Sequence, residues 1–111
     1  MNIYDTANRL AQEIKQSEEY VNYKMAKQAL NLNTELKKRM SDFEKMRYEV
    51  QLETMQTGKR DEEKYKKMQD LYSELVEIDD AKKFFEAETK FNIVIADVNK
   101  IIGEAIKDVM Q

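Results

Sequence analysis

Residues 79–110 constrain this chain more than any other stretch, because their apolar side chains keep one helical period without a break. Phe84, Phe85, Phe91, Val94, Ile95, Val98, Ile101, Ile102, Ala105, Ile106 and Val109 all fall at helical spacing. Phe84, Phe91, Val98 and Ala105 recur every seven residues, and Ile95, Ile102 and Val109 form a second row at the same interval. Together the rows make a face wider than a two-stranded coiled-coil seam, which predicts burial against several helices. Asp79 is placed to cap this helix, with Asp80 in the positively polarised first turn. Gly103 is the odd residue, and it reads either as fraying or a C-cap, or as a close crossing at Ala96, Asn99 and Gly103.

Length turns this helix into an argument about assembly. About 30 residues make a helix roughly 45 Å long, whereas a compact domain of 111 residues is roughly 34 Å across. The helix is therefore expected to overhang its own domain and carry Ile101, Ile102, Ile106 and Val109 with it. An apolar overhang needs a cover, which predicts a homo-oligomer, most simply a two-fold dimer. The expected core or interface residues are Phe84, Phe91, Val94, Ile95, Val98, Ile101, Ile102, Ile106 and Val109.

The rest of the chain continues the helical theme. It has no proline and only two glycines, Gly58 and Gly103. Asn2 can cap a first helix whose apolar face is Ile3, Ala7, Leu10, Ala11 and Ile14. Ser17, followed by Glu18 and Glu19, signals a new start. The second helix runs to about Leu32, with Val21, Met25, Gln28 and Leu32 as its inner row. Asn33 or Thr34 caps a long third helix that reaches Thr57 and carries Leu36, Met40, Phe43 and Val50. Gly58 is placed as a left-handed C-cap, Asp61-Glu62-Glu63 opens a fourth helix, and a short turn leads into the last. The expectation is a single all-α domain over residues 1–111, a bundle of about five helices.

Composition closes most chemical routes. With no histidine and no cysteine, Ser-His and Cys-His pairs, the usual zinc sites and a ferritin-like di-iron site cannot be built. Phosphate-cradling loops need glycines that the chain lacks. No enzyme is expected, and no cofactor or metal. Lys and Arg number 19 against 22 Asp and Glu, a net charge of −3 with the signs interspersed, so no global field favours nucleic acid or an anionic membrane. No run is long enough to span a bilayer, and the start Met1-Asn2-Ile3-Tyr4-Asp5 is unlike a signal peptide, which predicts a cytoplasmic protein.

Contact surfaces remain to be placed. Met25, Met40 and Met68 sit on apolar rows and are expected in the core. Met46 and Met55 stand at the edge of their helix's stripe and, with Tyr48, are the candidate partner surface. Lys59, Arg60 and Lys64 at the hairpin tip are candidates too. With Tyr65, Lys66 and Lys67 they resemble a basic patch, but three interleaved acids cancel much of its field. Asp61, Glu62 and Glu63 read as partners of the helix dipole rather than as a cation site.

The opening Asn2-Ile3-Tyr4-Asp5-Thr6-Ala7-Asn8-Arg9-Leu10, then Ser17-Glu18-Glu19-Tyr20, resembles the bacterial YlbF/YmcA-like family, especially its YheA-type branch. The closing segment from Phe91 to Ile102 is similar to that branch's C-terminal helix, and the likeness covers essentially the whole chain. The resemblance implies a small, cytoplasmic, self-associating helical protein. It also implies a non-catalytic role beside the endoribonuclease RNase Y in mRNA maturation, linked to competence, sporulation and biofilm formation. Members of that complex are associated with iron–sulfur clusters, for which this cysteine-free chain has no thiolate ligand. The leading expectation is an oligomeric adaptor. The alternatives are a helical scaffold or holdase-like protein without a fixed partner, and a weak RNA or DNA binder acting through residues 59–67.

Overall fold

Among the described residues five helices form, four of them opened by a side chain that caps the first turn. The computed structural model describes residues 2–111 and contains α1 (Ile3–Gln16), α2 (Glu18–Asn31), α3 (Thr34–Thr57), α4 (Glu62–Leu75) and α5 (Asp79–Met110). Asn2 Oδ1 accepts the Tyr4 N–H at 2.8 Å, and Asn33 Oδ1 accepts the Leu36 N–H at 3.0 Å. Asp61 Oδ1 accepts from both Glu63 and Lys64. Caps of this kind contribute about 1 kcal/mol each. Ser17 serves two helices at once. Its hydroxyl donates to the Ile14 carbonyl and accepts the Tyr20 N–H, while its extended backbone breaks the axis between α1 and α2. Gly58 closes α3 at φ 74°, where a Cβ would be strained, and its N–H returns to the Thr54 carbonyl.

The start of α5 departs from expectation. Asp79 is the first helical residue and not the cap; that position is held by Ile78, with no side-chain cap bond. Ile78 packs against the core, and Ala81 one turn on is fully buried. Burial of these two fixes where the helix begins, and Asp79 instead pairs with Lys83 at 3.1 Å. Gly103 neither frays nor ends the helix, which runs through it to Met110. A Cβ built there meets nothing within 4 Å, so the chain itself makes no close crossing at Ala96, Asn99 and Gly103.

The core gathers where the helices overlap. Leu30, Leu36, Met40, Phe43, Leu75, Ala81, Phe84 and Phe85 form one buried cluster. Phe84 and Phe85 are neighbours about 100° apart around α5, so they serve different sides. Phe84 faces α2, where Tyr23 lies between it (5.5 Å) and Phe91 (5.4 Å), with Tyr20 beyond at 5.9 Å from Phe91. Phe85 faces the α3–α4 hairpin and meets Phe43 at 5.4 Å and Tyr72 at 4.9 Å. Since Tyr20 pairs with the later phenylalanine, α2 runs antiparallel to the first half of α5.

On α2 the buried row is not the expected one. Val21, Met25 and Leu32 are exposed, and Tyr23, Ala26 and Leu30 face inward. The aromatic rings of α5 decide this, because a tyrosine stacked on two phenylalanines buries more area than a valine or methionine on the neighbouring row. Met40 and Met68 do lie in or against the core, as their rows predict.

The outline is flat and open, with extents of 49 × 37 × 16 Å. The radius of gyration is 17.6 Å, against about 13 Å for a compact chain of this length. The cause is visible at two places. None of α1 is buried, although its face is strongly amphipathic. The whole of α5 beyond Lys100 is exposed as well.

Candidate interaction surfaces

Three regions carry the side chains with something to offer a partner. The first is the tip between α3 and α4. Arg60 stacks over the Tyr65 ring at 3.6 Å and pairs with Glu62 at 3.2 Å. Lys64 closes on Glu53 across the hairpin, and Lys67 on Glu63. Much of the tip's positive charge is therefore spent within the hairpin, and Asp61 is occupied as a cap. Among the described residues no group of three or more acids is placed to hold a metal ion.

The second region is a polar brace inside the fold. Arg47 on α3 reaches Glu44 one turn back (2.6 Å) and Glu88 on α5 (3.2 Å), while its guanidinium lies over the Phe43 ring. The Tyr23 hydroxyl donates to Glu88 at 3.4 Å. Burial, then the nearby Glu88 charge and the hydrogen bond to it, push the Tyr23 phenol above its usual value. Burial of Arg47 opposes its charge but is outweighed by the hydrogen bonds it donates to Glu88 and Glu44, which hold it protonated more firmly than usual. Beside the brace lies an open groove of about 320 Å³ with Lys27 and Lys37 at its edge and Leu30, Met40 and Phe84 on its floor. Every charged group of the brace already faces a partner, so the network locks α2, α3 and α5 together. The donor set also fails an iron–sulfur cluster, because the chain holds neither thiolate nor imidazole.

The third region is apolar. Phe84 is core, while Phe91, Val94, Ile95 and Val98 are half-buried. Ile101, Ile102, Ile106 and Val109 remain 70%, 49%, 43% and 78% exposed. On α1, Ile3 is 76% exposed, and Leu10 and Ile14 are half-buried. The other proposed contact residues separate. Tyr48 and Met55 are exposed on the outer side of α3, and Leu52, which the sequence reading did not single out, stands between them at i, i+4 and i+7. Met46 is half-buried nearer the inward face and does not join that ridge. Its i, i+4, i+7 spacing with Tyr48 and Met55 is the signal in the sequence that marks Leu52 as part of the ridge.

Among the described residues, no helix is long and apolar enough to cross a membrane. Curated relatives match nearly the full chain, and two of them illustrate the likeness. A UPF0342 protein of Desulfitobacterium hafniense is 37% identical over 110 residues, covering 99% of this chain and 89% of its own. A UPF0342 protein of Clostridium novyi is 34% identical over 109 residues, covering 97% and 95%. A solved protein of unknown function (DUF964) from Bacillus stearothermophilus superposes with a TM-score of 0.82 at 15% identity, over 98% of this chain and 96% of that one. Bacillus subtilis RicA, solved in complex with RicF, gives 0.62 at 24% identity with the same coverage. Both structures share the fold. The family model described as control of competence regulator ComK, YlbF/YmcA, matches residues 3–107, and the chain belongs to that family.

Proposed function

We propose that this protein is a non-catalytic, cytoplasmic adaptor that regulates by binding other proteins and itself. The observation that carries the reading is open apolar surface in two places, α1 with the end of α5 for self-association and the Tyr48, Leu52 and Met55 ridge of α3 for a partner. The family's link to competence control and the RicA–RicF complex support a regulatory, partner-binding role. By that resemblance, its partner is RNase Y or a protein associated with it in mRNA processing. The internally paired tip argues against RNA or DNA as the ligand, since paired lysines release fewer counterions on binding phosphate.

The test is affinity capture from native lysate with mass-spectrometric identification, run beside Met55→Glu. Met55 is 83% exposed, so the variant keeps the fold. Capture of a ribonuclease or its associated proteins that the variant loses supports the adaptor role and locates its surface on α3. If no specific protein is retained, the ribonuclease link fails and a scaffold without a fixed partner replaces it.

A further inference from the structure

We infer that the open faces of α1 and of the second half of α5 are covered by a second copy of this chain, forming a two-fold, four-helix junction. The inference rests on the self-association in the proposed function and adds where and how it occurs.

The stripe on α5 is continuous but only half covered. Phe84 and Phe91 are sealed by Tyr20 and Tyr23 of α2. The same line then runs through Val98, Ile102, Ile106 and Val109, all within about 60° of it at 100° per residue. At Ser17 the chain turns, so α1 does not bury the continuation. Helix α1 carries a matching row, Ile3, Ala7, Leu10 and Ile14, at the i, i+4, i+7, i+11 spacing of a bundle helix. Two arms therefore project, each apolar on one side. They comprise the 14 residues of α1 and the 20 from Phe91 to Met110. Together they hold eight of the fifteen large apolar side chains exposed among the described residues.

Area identifies the occupant. The chain exposes 8954 Å², whereas a compact monomer of 13.2 kDa exposes about 6,400 Å². The excess, about 2,500 Å², lies at the upper end of what each partner buries in an obligate homodimer, roughly 1,000–2,500 Å². A two-fold pairing covers α1 and α5 of both copies in one operation, and it closes without leaving a second open face. Charge permits it. Asp5, Arg9, Glu13 and Lys15 on α1 sum to zero, and the distal part of α5 mixes Asp97, Lys100, Glu104, Lys107 and Asp108. No block of one sign meets its own copy.

Sedimentation equilibrium on the full chain, with Ile106→Glu, Ile3→Glu and Tyr48→Glu beside it, tests the inference. Ile106 and Ile3 are open to solvent in the single chain, and glutamate suits a helix at least as well as isoleucine. Neither variant should unfold the core, so each should keep a cooperative thermal melt even where it dissociates. The expected result is a wild-type mass twice the 13.2 kDa of one chain. Ile106→Glu and Ile3→Glu should each dissociate about 100-fold more readily, because an unpaired carboxylate enters the seam, while Tyr48→Glu stays dimeric. A dimer that Ile106→Glu leaves intact overturns the inference while self-association stands. A wild type of single mass throughout overturns both, and capture of a protein partner then remains the separate measure of the adaptor reading. A larger closed assembly overturns the two-fold pairing.

Discussion

Replacing Arg47 with methionine isolates what the internal brace contributes. Methionine keeps most of the side chain's length and its packing over Phe43, and it removes only the guanidinium. Glu88, whose side chain is 14% exposed, then keeps the Tyr23 hydroxyl as its remaining partner, while Glu44 at 42% turns to solvent. Stranding a fully buried carboxylate costs about 3–5 kcal/mol. Arg47 is itself 32% exposed, so solvent screening reduces this to about 2 kcal/mol. For a chain of 111 residues that lowers the midpoint of thermal unfolding by about 9 °C. Glu88→Gln in the same background removes the stranded charge and should restore about half of the loss. Urea titrations of the four proteins in the cycle give the coupling directly. A loss below about 0.5 kcal/mol, or strictly additive single and double variants, would show that the brace is incidental to the fold.

Three other outcomes follow from the same geometry. Leu75→Ala, at a large side chain with no exposure, should cost about 3 kcal/mol by chemical denaturation, within the range for a buried leucine. The two glycines should respond in opposite directions. Gly58→Ala loses about 1 kcal/mol from its left-handed backbone alone, whereas Gly103→Ala gains about 1 kcal/mol in an open helix interior, and thermal melts read both. Tyr23 has its phenol raised in the folded state, so its contribution is complete below pH 10 and fades as pH climbs above it. Tyr23→Phe should accordingly flatten the alkaline fall in stability, while below pH 9 it lowers stability by a pH-independent amount through the lost hydrogen bond to Glu88.

Four of the five helices among the described residues were legible because each begins with a residue whose side chain caps it. Asn2, Ser17, Asn33 and Asp61 all act as their chemistry suggests, and Gly58 takes the left-handed turn. Asp79 misled because capping preference competes with burial, and there Ile78 and Ala81 won. On α2 the pattern supports two inward rows, and only the positions of Phe84 and Phe91 on a distant helix choose between them. The brace was invisible for the same reason, since Arg47 and Glu88 stand 41 residues apart and no local spacing joins them. The overhang of α5 was legible from length alone. That α1 would turn away from it depends on the backbone at Ser17, which a capping residue announces without giving its direction.

Hydrogen exchange along α5 tests most directly the claim that its open end is a covered binding surface. A helical end without packing should open freely, because segments of about 12–15 residues are marginal on their own. Amides 99–108 should slow as protein concentration rises and approach the protection of residues 81–88, with amides on α1 changing in parallel. Fast exchange in 99–108 that is independent of concentration, beside a protected core, would mean that the arms stay bare and the chain does not act through them.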